Sequence, residues 1–226
     1  MGVHGGHRAR VRKRFQEEGL DGFAEHEVLE LLLFFAIPQQ DVNALAHKLL
    51  AEFGSLANVL HTPIAALANV PGMGESSATL LSLLPHVFRR YQISLQGNGD
   101  DLSSIEKAAE YLLPRFTGIR HEQVLALLLD ARGRLIICKC VSEGTVNTTD
   151  ITARKLVELA VRHNASNMVL AHNHPSGVAV PSSEDHATTL SLRDSLGELG
   201  IRLIDHIVVA DGDYVSMAQS GLFTYR

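Results

Sequence analysis

Near residue 92 the hydrophobic period of this 226-residue chain changes, from helical spacing to the two-residue alternation of strands, so a single fold class cannot accommodate both halves. In the first half Val28, Leu29, Leu32 and Leu33 mark one buried helix, and Val42, Leu45, Leu49 and Phe53 mark a second that ends at Gly54. Asp41 is placed to cap that second helix. Ser55 and Thr62 are placed to cap two shorter ones, with Pro63 at a first helical position, where a missing N–H leaves nothing unpaired. A last helix is expected over 75–91, kinked at Pro85. Residues 92–101, QISLQGNGDD, have two glycines and no period and read as a linker.

Beyond the linker the texture is different. After a helix capped by Ser103 and Glu106, the runs 123–130 and 135–141 flank Ala131-Arg132-Gly133-Arg134 and read as a β-hairpin. A helix over 151–164, a buried strand over 168–172, a helix over 183–199 and strands near 201–209 and 214–217 follow. The expected architecture has two domains: an all-α module at 1–91 and an α/β domain with a mixed sheet at 102–226, joined by 92–101.

Composition narrows the class. A 46% hydrophobic and 20% charged chain can bury a sizeable core, and none of its apolar runs reaches the roughly 18–20 residues of a membrane span. The opening MGVHGGHRARVRKRF has basic residues but no apolar core behind them to act as a signal peptide, so a cytoplasmic protein is expected. Residues 1–100 carry 8 Lys+Arg against 10 Asp+Glu and residues 101–226 carry 12 against 15, so neither half is a basic domain. Arg8, Arg10, Arg12, Lys13 and Arg14 form the one basic cluster, which suits either a phosphate or a solvated helix face. Cys138 and Cys140 share a strand face without a second pair to complete a four-thiolate site, and read as reduced core residues.

The segment MVLAHNHPSGVAVPSSED carries the chemistry. An apolar strand runs into His172 and His174, and alternation aims both imidazoles to one side. Pro175, Gly177 and Pro181 turn the chain back, and Ser182-Ser183-Glu184-Asp185 has the composition of a helix N-terminus, which brings Asp185 close to the rings. Two imidazoles and a carboxylate leave a fourth position for water, the arrangement of catalytic zinc, which lowers the pKa of that water towards ~7.

His172-x-His174, seven residues, Ser182, two residues and Asp185 together resemble the JAB/MPN metalloprotease signature, also called JAMM. The resemblance implies that His172, His174 and Asp185 hold zinc, that Ser182 assists the oxyanion, and that an upstream glutamate is the general acid/base. It also implies an α/β fold of the cytidine-deaminase-like kind. The phrase HNHPSG…PSxxD, followed by LGIRLIDHIVVADGDYVSM, is closer still to the bacterial RadC proteins, named as DNA-repair proteins. That likeness continues into the first half, in HRARVRKRF, ELLLFFAIPQQD and EFGSLANVL.

Glu122, which opens the strand EQVLALLLD as the family glutamate does, is the candidate general base, with Glu143 and Glu158 as competitors. Asp205 and His206 lie in an apolar strand and are taken as supporting residues of the sheet edge or of the ligands. Ser176 and Asn173 are candidates to orient substrate by adjacency alone. In the first half, LANVPGMGESSATLL has the glycine spacing of a helix-hairpin-helix turn. Amides at Gly72 and Gly74 suit weak, sequence-independent DNA binding through a phosphate, and the same glycines serve equally as plain turn residues.

The expected function is zinc-dependent cleavage of peptide or isopeptide bonds in a protein or peptide substrate, with a possible link to DNA repair or recombination. The rival is a non-catalytic DNA-repair accessory protein with a structural zinc. A zinc nucleobase deaminase lacks support, because no Pro-Cys-x-x-Cys segment is present.

Overall fold

In a computed structural model of the chain, residues 3–38, 40–96, 101–144 and 152–223 are described. The chain divides into two compact units, Met1–Phe88 and Arg89–Arg226.

The first unit holds α1 (Val3–Glu18), α2 (Glu25–Ala36), α3 (Asn43–Phe53), α4 (Leu56–His61), α5 (Ile64–Ala68) and the beginning of α6 (Glu75–Leu95). Leu29, Leu33, Leu49, Leu67 and Leu81 are fully buried in its core. Each contributes on the order of 1.5–3 kcal/mol by leaving water. Ser55 caps α4 as its sequence position suggests, accepting the Asn58 N–H at 3.2 Å. The other two caps differ. Val42 occupies the cap position of α3, although the Asp41 carboxylate still accepts the Asn43 N–H at 3.0 Å. The Thr62 hydroxyl donates back to the Asn58 carbonyl at 2.8 Å, so it closes α4, and α5 begins one residue later than expected, at Ile64. Helix α6 continues past Pro85 and beyond the expected stop at Tyr91, because Leu95 extends the spacing of Leu84, Phe88 and Tyr91. The expected linker therefore begins inside a helix, and its residues 97–100 lie outside the described residues.

The basic cluster of α1 is largely used within its own unit. Arg8 donates to the carbonyls of Phe34 (3.3 Å), Ile37 (2.7 Å) and Gln40 at the C-terminal end of α2. Arg14 pairs with Glu27 at 3.0 Å and Glu18 at 3.3 Å, and Arg12 lies over Phe34 and Phe35. Cations at a helix C-terminus satisfy its free carbonyls and favour its dipole.

The second unit contains α7 (Ile105–Phe116), β1 (Gln123–Leu129), β2 (Leu135–Glu143), α8 (Ala153–Arg162), β3 (Asn167–Asn173), α9 (Ser183–Gly197), β4 (Arg202–Ala210) and β5 (Asp213–Ser216). Ser104 caps α7 through the Lys107 N–H, one residue later than the sequence suggests, since Ser103 is drawn to Asp101. The expected helix over 151–164 is α8, capped by Thr152, and Ile151 lies outside the described residues. The sheet order is β2-β1-β3-β4-β5, with β3 and β4 parallel and the other pairs antiparallel.

Leu112 and Phe116 of α7 cover the face bearing Leu125, Leu127 and Val169. Leu156 of α8 with Leu192 and Leu196 of α9 covers the face bearing Val124, Ala126 and Leu170. Buried on both sides, β3 has no exposed residue, which is why its sequence is apolar throughout rather than alternating. Cys138 is half-buried against the α7 face of the sheet, and that burial pushes its thiol up to about 11, so it is a packed residue and not a nucleophile, whereas Cys140 is exposed and not a core residue. Among the described residues no helix is long and apolar enough to cross a membrane.

Candidate metal centre

The site forms where β3 ends. His172 is the penultimate residue of β3, and the His174 N–H pairs with the Val209 carbonyl at 2.8 Å, so the strand geometry carries on for one more residue. The two rings consequently share a side, with centroids 4.7 Å apart. The return of the chain depends on Gly177. Its φ is +85°, its N–H donates to the His174 carbonyl at 3.1 Å, and a Cβ there would meet Asp211 Oδ2 at 2.6 Å.

Ser182 then starts α9 with a reciprocal cap. The Asp185 N–H donates to Ser182 Oγ at 3.1 Å, while the Ser182 N–H (2.8 Å) and hydroxyl (2.6 Å) both donate to Asp185 Oδ2. This cap holds the carboxylate against the histidines: Oδ1 is 3.4 Å from His172 Nε2 and Oδ2 is 3.5 Å from His174 Nε2. The two Nε2 atoms are 2.9 Å apart. His172, His174 and Asp185 each offer a ligand atom within 4.8 Å of the others and could hold a metal ion.

Burial alone would raise the Asp185 carboxyl. Proximity to the His172 ring in its protonated form and the hydrogen bonds from the Ser182 N–H and hydroxyl more than offset it, and hold the group below the ordinary carboxylate range. The His174 Nδ1–H donates to the Val178 carbonyl at 3.0 Å, leaving the lone pair on Nε2. An imidazole lone pair and a carboxylate converging in one place, with another imidazole 2.9 Å away, is a donor set suited to a cation.

The cradle opens into a cleft of about 460 Å³, lined also by Glu122, Ser176, Glu184 and Thr188. Register explains the place of Glu122. Val124 on β1 is the antiparallel partner of His172, so the residue two before Val124 and the residue two after His172 lie towards the same end and face. The competing glutamates do not line the cleft. Glu143 is exposed and pairs with His121 at 2.9 Å, and Glu158 is exposed and pairs with Arg154 at 3.0 Å.

Asn173 does not enter the cleft lining. Its side chain accepts the Gln123 N–H at 2.8 Å and donates to the His121 carbonyl at 2.9 Å, clamping the segment that carries Glu122 beside β3. Ser176 does line the cleft.

Asp205 and His206 are not at a sheet edge, since β4 lies between β3 and β5. Asp205 is fully buried and accepts from Ser216 Oγ at 2.5 Å and the Ala218 N–H at 3.0 Å, anchoring the turn after β5. His206 stands behind the cradle, its Nε2 2.8 Å from His172 Nδ1. Burial above all lowers its pKa to about 3. Strict alternation from Leu203 would put Asp205 on this face. A register shift in the β3–β4 pairing, where Met168 faces Leu203 and Val169 faces Asp205, turns His206 there instead. No local sequence pattern marks that shift.

In the first unit, Gly72 has φ +101° between α5 and α6, a backbone conformation that favours glycine. The Gly74 N–H, a candidate phosphate donor, is accepted by the buried Ser77 hydroxyl at 2.9 Å, and the Met73 N–H by the Val70 carbonyl at 2.9 Å.

A mixed sheet with a His-x-His pair leaving its central strand and an aspartate in the first turn of the next helix is the arrangement of a JAB-like domain, and its three side chains could hold a metal ion. Residues 102–222 match the RadC-like JAB domain family. The chain is 35% identical over 214 residues to a UPF0758 protein of Alcanivorax borkumensis, covering 94% of this chain and 95% of that one. It is 32% identical over 213 residues to one of Nitrosomonas europaea, with 94% and 95% coverage. A third, from Xanthomonas campestris pv. campestris, is 35% identical over 212 residues, with 94% of each chain covered. The chain belongs to the RadC-like JAB family.

Replacing Gly177 by alanine is expected to cost roughly 1–3 kcal/mol in denaturant unfolding through backbone strain. Any metal the site takes up should be held less tightly, because the turn that the added Cβ strains is the one that carries His174.

Proposed function

We propose that the second unit is a zinc-dependent peptidase of the JAMM type that cleaves peptide or isopeptide bonds, and that it works in the cytoplasm. The observation that carries this reading is the entry of Glu122 into the same cleft as His172, His174 and Asp185. Zinc suits the cradle, because ligands ~2.0–2.1 Å from a tetrahedral centre stand roughly 3.3 Å apart, and the pairs here are 2.9, 3.4 and 3.5 Å apart. When bound, zinc supplies a Lewis acid that polarises a carbonyl and acidifies water.

The residues of the chain then divide the remaining work. Glu122 accepts the proton of the attacking water and returns it to the leaving amine. Ser182 turns its hydroxyl from Asp185 towards the developing oxyanion, while its backbone N–H keeps hold of the carboxylate. The described lining has three carboxylates, Glu122, Glu184 and Asp185, and no lysine or arginine. A peptide fits such a cleft better than a phosphodiester, whose charge would meet no cationic side chain there.

The DNA-repair accessory reading draws on the helical unit, and the occupied Gly74 amide and the internal bonds of Arg8 and Arg14 favour packing over phosphate contact. In a low-salt gel shift the full chain is expected to leave duplex DNA unretarded; a salt-sensitive shift with an inert zinc site would favour the accessory role. Elemental analysis should find His174→Ala and Asp185→Ala depleted of zinc. Glu122→Gln should keep its zinc, lose at least a hundredfold in peptide turnover, and retain substrate proteins that the active chain releases. Full zinc in His174→Ala protein would contradict the assignment.

A further inference from the structure

Behind the cradle lies a chain of hydrogen bonds whose short contacts are all satisfied by one assignment of donors. Thr189 Oγ1 is 2.6 Å from the Asp185 carbonyl oxygen. A carbonyl only accepts, so the single hydroxyl proton of Thr189 is committed there. His206 Nδ1 lies 2.5 Å from the same hydroxyl oxygen and must therefore be the donor of that contact. The ring is buried and its described hydrogen bonds go to a hydroxyl and another imidazole, with no carboxylate among them, so it is neutral and carries its lone pair on Nε2. That lone pair faces His172 Nδ1 at 2.8 Å. His172 is consequently protonated on Nδ1, and its free lone pair is on Nε2, the atom directed at His174 and Asp185.

We propose that Thr189 and His206 are positioning residues that select the tautomer of His172, so that a ligand lone pair is aimed into the cradle before any metal arrives. The relay begins on the backbone of Asp185 and ends on the ring of His172, so it ties together two ligands from different elements, α9 and β3. It also gives the shifted register of β4 a purpose, because Asp205 in the place of His206 would have no ring to bridge Thr189 and His172. The idea rests on the metal reading of the site but not on peptide cleavage.

The test uses the metal-free full chain and the zinc ion, without a substrate. Long-range proton–nitrogen correlation spectra report which nitrogen of His172 carries hydrogen, and competition with a chromophoric chelator reports zinc affinity. In the wild-type chain His172 should be the Nδ1–H tautomer. Thr189→Val has nearly the volume of threonine but removes the hydroxyl, freeing His206 to move its proton. It should give a mixture of His172 tautomers and bind zinc about 10–100-fold more weakly. Thr189→Ser keeps the hydroxyl and should restore both readouts, which a simple packing role for the threonine methyl would not do.

A wild-type His172 protonated on Nε2, or a Thr189→Val chain with unchanged tautomer and affinity, would overturn the proposal. A wild-type chain that binds no zinc would instead overturn the peptidase reading, and the tautomer spectra would still decide the relay.

Discussion

Acceptors without donors between them meet at the end of β3, and the surrounding structure is arranged to hold them there. The His174 lone pair, the Asp185 carboxylate and the Nε2 of His172 lie within 2.9–3.5 Å of one another. Left to themselves such groups separate or take up protons. Here they are fixed from behind, His174 by the Val178 carbonyl, Asp185 by the reciprocal cap with Ser182, and His172 by His206. A site of this kind is favourable when a cation neutralises it.

The sheet makes this possible by rigidity. With α7 on one face and α8 and α9 on the other, β3 is buried along its whole length and cannot slide without exposing leucines or breaking its pairing to β1 and β4. The same β1–β3 register that buries Val124 against His172 delivers Glu122 to the cleft, and Asn173 clamps its neighbours. Core packing and the geometry of the cleft are thus set by one pairing.

Much of this was legible in the sequence, for identifiable reasons. Period separates the helical half from the α/β half, and a two-residue repeat is enough to put His172 and His174 on one side. Ser182 and Asp185 are three residues apart, which is the spacing of a helix cap, and that cap is what holds the carboxylate against the histidines, so local chemistry reveals both. What escaped depends on long-range pairing. His206 reaches His172 across 34 residues and only because a register shift turns it inward. Asn173 looks like a cleft residue by adjacency and is instead a clamp on a segment 50 residues away. Thr62 shows the same limit at short range, because two neighbouring helix ends compete for one hydroxyl and the sequence does not say which wins.

The central claim is most directly tested by anomalous diffraction at the zinc absorption edge from crystals of the full chain grown with equimolar zinc. The account predicts one strong peak per chain, within bonding distance of His172 Nε2, His174 Nε2 and an Asp185 oxygen, with Glu122 facing it. No peak there, with the two histidines hydrogen-bonded directly to each other through a shared proton, would contradict it.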